Sequence, residues 1–448
     1  MSRNLTSAAG NQNAEPALTP KLRFPEFRDA GGWTSKPMST VYSFKGNNSL
    51  SRDKLNYERG TVKNIHYGDI HTKFATHFDI TTELVPFINP SESLASFKAD
   101  NFCVEGDMIF ADASEDLADI GKAIEIVRLN RERVVSGLHT ILARQNEDEL
   151  FLGFGGHLFK SKWVRTQIQK ESQGSKVLGL SGGRLAKIEV PFPSPAEQQK
   201  IAECLTSLDE VIAAQRQKLD ALKTHKKGLM QQLFPREGET LPRLRFPEFQ
   251  KGSGWKLKKI GALLVDTPRR IEMDDENQYS LVTVKRRYGG VVSREILKGK
   301  NIKVKSQFIV EANDFLISKR QIVHNACGLV PDELEGCIVS NEYSVLTPRE
   351  GCDVSFFNYF VQQPSVSHSF MRASVGIVIE KMLFKLDSWL KREFLFPSFE
   401  EQKRIATCLT TLDDLITAHS AKLSALKTHK KGLMQQLFPS PIENSSHS

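Results

Sequence analysis

The fifteen residues ALKTHKKGLMQQLFP stand at 221–235 and stand again, unchanged, at 425–439. Working outward, PSPAEQQKIAECLTSLDEVIAAQRQKLDALKTHKKGLMQQLFP (193–235) aligns without gaps to PSFEEQKRIATCLTTLDDLITAHSAKLSALKTHKKGLMQQLFP (397–439), with 30 of 43 positions identical. Upstream, PKLRFPEFRDAGGW (20–33) returns as PRLRFPEFQKGSGW (242–255). The stretches between keep only a trace of kinship. EGDMIFADASEDLADIGKAI (105–124) falls where the second copy has ANDFLISKRQIVHNACGLV (312–330), and RVVSGLHTILA (133–143) faces GCIVSNEYSVLT (336–347). The chain therefore reads as one unit written twice, a variable block of domain size followed by a constant tail.

The tails carry helix signals. Ser194 and Ser398 stand at N-cap positions, Glu197 and Glu401 three residues on would close capping boxes, and Pro195 suits a first helical position. Pro235 and Pro439 mark the stops. Between them apolar residues alternate steps of four and three: Ile201, Leu205, Leu208, Ile212, Leu219, Leu222, Leu229 and Leu233 in one copy, and Ile405, Leu409, Leu412, Ile416, Leu423, Leu426, Leu433 and Leu437 in the other. Such a stripe is a coiled-coil seam. It is interrupted at matching places, by Gln215 and Lys226 and by His419 and Lys430, as expected of two helices fitted to each other; packing of each tail on its own domain alone is the alternative. With a whole domain between them, the simplest pairing is antiparallel. Forty residues from Pro195 to Phe234 give a rod of about 60 Å, or about 17 base pairs of B-DNA. Gly228 and Gly432 would either loosen the last turns or admit another helix.

The plan is thus a disordered lead-in over 1–20, a first block over 21–192, a first helix over 193–235, a second block over 236–396 opened by a linker at 236–241, a second helix over 397–439 and a tail at 440–448. The expected class is α+β: two duplicated α/β blocks joined by two long antiparallel coiled-coil helices, with pseudo-two-fold symmetry. Strands are expected at YSLVTV (279–284), NIKVKSQFIV (301–310) and GCIVSNEYSVLT, and a helix near 355–370.

The 448 residues carry 61 Lys plus Arg against 53 Asp plus Glu, a net charge of +8 that favours a polyanionic partner. Six cysteines without CxxC or zinc-like spacing read as buried or incidental thiols in a reducing, cytoplasmic setting. No apolar run reaches the length of a membrane span and no secretory signal opens the chain.

Basic and polar residues gather in the expected loops. In the first block they are Lys63, His66, His71 and Lys73, then Gln173, Ser175, Lys176 and Arg184. In the second they are Lys285, Arg286, Arg287 and Tyr288, then Lys319, Arg320, His324 and Arg372. Arg and Lys fork to guanine, Gln reads base edges, and any of them holds a phosphate oxygen; for any one residue a solvated basic face is the competing reading. His139 lies in a β run and reads as a core or strand residue.

Evidence for chemistry is thin. FLGFG (151–155) fits an FxGxG cofactor-binding pattern, but its counterpart FFNYF (356–360) has no glycine and no target-base tetrapeptide follows, so the segment reads as a helix start. No GxxxxGK[ST] phosphate loop exists. Pro331 and Asp332 could open a metal-nuclease motif, yet the later Glu401 lies inside the seam helix, far from a shared cleft. A methyltransferase or nuclease, and a coiled-coil adaptor whose end domains bind peptides or glycans, are the rival readings.

Taken together, the paired LRFPEF openings, the P-S-x-x-E-Q-x-x-I-A helix entries, the twin LKTHKKGLMQQLFP endings, GDMIFADASED (106–116) and ISKRQIVHNACG (317–328) resemble the specificity subunit of a type I restriction-modification system, from Lys21 to Pro439. That resemblance implies two target recognition domains, each binding one half of a bipartite, asymmetric site on double-stranded DNA. It also implies a coiled coil that sets the gap and docks two methyltransferase subunits, motor-endonuclease subunits joining through the complex, and a cytoplasmic, nucleoid-associated location. No cofactor would belong to this chain; S-adenosylmethionine, ATP and Mg would belong to the partners, and the matching tails would present equal docking surfaces. Lys223, His225, Lys226, Lys227, Lys427, His429, Lys430 and Lys431 are candidates for that docking or for phosphate contact, a solubilising helix face being the competing reading.

Overall fold

The computed structural model describes residues 18–440. The lead-in read at 1–20 and the tail read at 440–448 therefore lie almost wholly outside the described residues; within them, Leu18 forms a bridge with Trp33. The chain divides into two compact units, one holding the residues up to Arg216 together with those from Lys422, the other holding Gln217–Ala421. The division falls inside two helices of 39 residues each, Pro195–Leu233 and Phe399–Leu437. Both end two residues before the prolines that signalled the stop.

In the first unit a five-stranded sheet runs in the order Tyr42–Lys45, Thr140–Gln145, Met108–Ala111, Ala123–Arg128, His77–Asp79, antiparallel until the last, parallel pair. A separate four-stranded sheet runs in the order Val134–Ser136, Lys63–Ile65, Phe87–Ile88, Leu55–Asn56. In the second unit Leu264–Asp266, Tyr343–Pro348, Phe315–Ser318 and Cys327–Leu329 repeat the first four strands in the same order. A five-stranded sheet there contains the hairpin of Gln278–Val284 with Val291–Lys298. Each domain opens and closes on an antiparallel pair, Thr34–Pro37 with Glu189–Phe192 and Lys256–Lys259 with Glu393–Phe396, so that each chain segment entering a long helix is held to the strand that began the domain. The class is α+β.

Two local expectations change. NIKVKSQFIV forms a strand only over Gln307–Ile309. The helix read at 355–370 is two, Val354–Phe360 and Pro364–Arg372, because Pro364 cannot continue the first and serves instead to start the second.

The root of each unit explains the duplicated sequence. In the first unit Ile201, Ala202 and Leu205, from the start of the first long helix, share a core with Leu433, Met434, Leu437 and Phe438, from the end of the second. In the second unit Ile405, Ala406 and Leu409 share one with Leu229, Met230, Leu233 and Phe234. Within each unit the two helical segments thus run antiparallel, and each repeat's tail ends in the core of the other repeat's domain. The Phe of LFP is the keystone: Phe438 lies 5.8 Å from both Trp33 and Phe154, and Phe234 lies 6.1 Å from Trp255 and 5.5 Å from Phe356.

LRFPEF closes the root from outside. The amide of Leu22 donates to the Gln436 carbonyl (2.9 Å) and that of Leu244 to the Gln232 carbonyl (3.0 Å), satisfying a last-turn acceptor in each helix. Arg23 and Arg245 reach the helix starts, Nε donating at 2.8 Å to Glu197 and at 2.9 Å to Glu401. This corrects the capping-box reading. Ser398 does cap, accepting from the Glu401 amide at 3.3 Å, but both glutamates are buried against arginine instead of reaching back to the N-cap. A buried carboxylate without that partner would carry a heavy desolvation penalty, which ties the E of the helix entry to the R of the opening. The next residue is also shared. The amide oxygen of Gln198 accepts from Phe151 N–H and that of Gln402 from Asp353 N–H, while their NH2 groups donate to the carbonyls of Pro193 and Pro397.

All seam residues are buried or half-buried: Ile201, Leu205, Leu219, Ile405, Leu409 and Leu423 fully, and Leu208, Ile212, Leu222, Leu412, Ile416 and Leu426 in part. Lys226 and Lys430 are not free docking charges. Lys226 bonds Asp413 at 2.6 Å within the second unit, and Lys430 bonds Asp209 within the first.

A Cβ added to Gly228 or Gly432 would meet nothing within 4 Å. Gly228→Ala and Gly432→Ala are each expected to raise unfolding stability by up to about 1 kcal/mol through helix propensity, read as a higher urea midpoint. Phe438→Ala should cost the first unit about 3–5 kcal/mol, seen as faster amide exchange in Thr34–Pro37 and Glu189–Phe192 while Lys256–Lys259 stays protected. Phe234→Ala should reverse the pattern.

Candidate nucleic-acid interface

In the second unit three loops distant in sequence meet. The turn after Gln278–Val284 carries Lys285, Arg286, Arg287 and Tyr288, with Arg287 (φ 58°) and Tyr288 (φ 56°) in the left-handed region that side chains avoid. Neighbours hold it there: Arg287 N–H donates to His324 O (2.8 Å), Tyr288 N–H to Asn325 O (2.9 Å), and the Tyr288 hydroxyl to Val361 O (3.0 Å). Strain of this sort collects where a fold must aim side chains. The aimed ones are Lys285 and Arg287, exposed and without an ion pair among the described residues, whereas Tyr288 packs inward.

Arg286 donates to Gln321 (2.8 Å) and Glu380 (3.2 Å), and His324 lies 3.1 Å from Glu380. Lys319 donates to Asn341 O at 2.8 Å, Arg320 pairs with Glu342 at 2.7 Å, and Arg372 is exposed at the end of its helix. The third loop, the hairpin Ser374–Phe384 that supplies Glu380, gave no signal in the sequence because its tip is apolar.

The first unit divides its candidates. Lys63 pairs with Glu132 at 2.6 Å and lies over the Phe87 ring, His66 is buried as the N-cap of Tyr67–Thr72, and His71 sits 3.0 Å from Ala113 O; these three serve the fold. Burial, with Arg52 beside it, pushes the His66 imidazole toward its neutral form. Lys73 is exposed, 2.9 Å from Asp69, and Arg184 is half-buried near Glu171. Gln173, Ser175 and Lys176 are exposed on a loop whose strand Leu178–Gly179 pairs with Ala113–Ser114. His139 corrects its reading: it is an exposed turn residue at φ 55°, 3.1 Å from Asp112 and 5.2 Å between ring centres from Tyr67. Exposed ion pairs such as Arg320–Glu342 hold less than about 1 kcal/mol and exchange readily for phosphate.

FLGFG is a helix start, as read: Gly153 (φ 89°) caps Phe154–Leu158. Its amides are already committed, Gly153 N–H to Glu125 Oε1 (2.7 Å) and Gly156 N–H to Glu125 Oε2 (2.6 Å). Glu401 is engaged by Arg245 and Trp255. All six cysteines are free thiols, four of them buried. Among the described residues no helix is long and apolar enough to cross a membrane, and no cluster of metal-binding side chains occurs.

Beside each seam lysine a polar cluster is built from equivalent positions with different residues. In the second unit the Tyr359 hydroxyl donates to Asp413 (2.7 Å) next to Thr410 (3.2 Å), under Lys226. In the first, His157 takes the place of Tyr359, 3.3 Å from Thr206 and 4.5 Å between ring centres from His77. Burial holds both imidazoles below their usual range, His157 well below, with His77, Lys430 and Lys160 adding repulsion; burial also brings Lys160 down to about 8. Burial pushes Glu125 the other way, up to about 7.

Comparison with known proteins agrees with this arrangement. A family model described as type I restriction modification DNA specificity domain matches residues 85–224 and 252–428. The chain belongs to that family: it is a type I restriction-modification specificity subunit with two recognition domains, a class that is not itself an enzyme. It is 23% identical over 409 residues to the putative type I restriction enzyme MjaX specificity subunit of Methanocaldococcus jannaschii, covering 88% of each chain. It is 20% identical over 329 residues to the MjaVIII specificity subunit of the same organism, covering 70% of this chain and 75% of that one. Among solved structures, the S subunit of a type I restriction-modification system from M. genitalium shares the fold with a TM-score of 0.58 at 14% identity, covering 95% of this chain and 100% of that one.

The His157 site makes stability depend on pH. Its folded pKa lies below the ordinary 6.5, so below about pH 6.5 the unfolded chain binds the extra proton and stability falls as the solution is acidified. The slope is up to about 1.4 kcal/mol per pH unit for one imidazole; Glu125 works in the opposite sense, losing stability as pH rises between 4.5 and about 7. His157→Tyr, which installs the second unit's residue, should flatten the acid side of the profile relative to wild type in urea titrations from pH 7.5 to 5.5.

Proposed function

We propose that each domain binds one half of a bipartite, asymmetric site on double-stranded DNA. The two long helices set the gap between the halves and dock two methyltransferase subunits, and motor-endonuclease subunits join through that complex. This chain supplies recognition. S-adenosylmethionine, ATP and Mg belong to the partners, whose work is adenine methylation or ATP-dependent restriction in the cytoplasm. The observation that carries the reading is the convergence in the second unit of Lys285, Arg286 and Arg287 with the Lys319–His324 turn, a basic surface on a strained support. Lys285, Arg287 and Arg372 in one domain, and Gln173, Ser175 and Lys176 in the other, are the side chains free to contact the duplex. Lys73, Arg286, Lys319, Arg320 and His324 would exchange internal partners for phosphate.

Co-purified with its methyltransferase partner, the chain should form a complex with two partner copies. That complex should protect a bipartite sequence, with affinity falling steeply as salt rises. Arg287→Ala in that complex is expected to weaken binding by roughly 1–3 kcal/mol, measured by fluorescence anisotropy. Binding indifferent to salt, or unaltered maps of methylated adenine when the gene is deleted, would refute the reading.

A further inference from the structure

Four exposed apolar side chains of the second unit lie together at the tip of one short hairpin. Ile377 is fully exposed, and Val375, Val378 and Ile379 are each at least half exposed. The hairpin is not loose. Ser374–Val375 pairs antiparallel with Leu383–Phe384, Phe384 is buried against Phe370 and Trp389, and its amide donates to Lys319 O at 2.9 Å. Across the tip, Lys381 N–H donates to Val378 O at 2.8 Å. At Gly376 (φ 152°) an added Cβ would sit 3.0 Å from the Met382 Cα, so the two arms approach as closely as glycine permits.

Branched aliphatic groups held rigidly in water mark a contact surface. The charge around them says with what. Arg286 and His324 flank the tip through Glu380, Lys319 lies at its base, and unpaired Lys285, Arg287 and Arg372 complete a basic surround. An apolar tip in a basic frame matches a duplex, where phosphates border base edges whose main apolar feature is the thymine methyl group. The equivalent loop in the first unit, anchored in the same way by Leu180 N–H to Asp112 O (2.8 Å), has the polar tip QGSKV at 173–177. One scaffold thus presents two chemistries.

We infer that the hairpin Ser374–Phe384 is a base-reading element of the second domain, with Ile377 and Val378 packing against thymine 5-methyl groups in the major groove of its half-site. A two-stranded ribbon fits that groove. The inference rests on the DNA-binding reading above.

The test uses the full complex with its methyltransferase partner and the half-site found from methylated-adenine maps. Each thymine of the second domain's half-site is replaced in turn by uracil, which removes only the methyl group. Wild type is expected to lose about fourfold in affinity at one or two positions. The double variant Ile377→Ser, Val378→Ser should bind more weakly than wild type and no longer distinguish uracil from thymine. Because both side chains are exposed, its thermal midpoint should be unchanged. Equal wild-type binding to thymine and uracil duplexes, or a double variant that still discriminates, would each overturn the inference while leaving DNA binding intact. A complex that binds no duplex would remove both readings together.

Discussion

One aromatic contact, made twice, organises the molecule. The phenylalanine of LFP enters the core of the domain encoded by the other repeat and packs on the tryptophan and helix-start phenylalanine waiting there. Around that contact the arginine of LRFPEF neutralises the glutamate of the helix entry, and the following glutamine ties the helix start to the strand before it. Each duplicated motif therefore meets another duplicated motif. The duplicated words are halves of a joint, which gives a reason for their identity that holds before any partner is considered.

The joint also separates what is fixed from what is free to vary. The four central strands keep their order in both units while the sheets outside them differ, and the loops that gather basic residues in the second unit have polar or acidic counterparts in the first. Even beside the seam, where Asp209 and Asp413 take equivalent lysines, one unit supports the pair with Tyr359 and the other with His157 and His77. A neutral phenol and a buried imidazole fill similar space but differ in their response to protons.

Much of this was legible in the sequence, and the failures have physical reasons. The seam was readable because heptad spacing survives from Ile201 to Leu233 and from Ile405 to Leu437 whatever surrounds it. The capping-box reading of Glu197 and Glu401 failed because local spacing gave no hint of an arginine 174 positions away. Lys226 and Lys430 looked like surface charge because their carboxylates lie on the opposite helix. His139 sat in a run of β-formers, but the reversal between two short strands needed a left-handed residue there. Among the candidate side chains, Arg287 and Arg372 stand exposed while Tyr288 and His66 face inward, and nothing in the sequence pointed to the apolar hairpin at 374–384.

The exchanged helix ends bear on how the chain is made. On the ribosome the first domain emerges long before Phe438, yet its core includes Leu437 and Phe438 and its opening segment pairs with Gln436. Until translation has passed Phe438, that domain must persist with Trp33 and Phe154 uncovered, a sticky nascent state open to contact with another copy. A message cut short before the second LFP would leave the first domain open however complete its own code, so the second repeat's closing codons proofread the first repeat's domain.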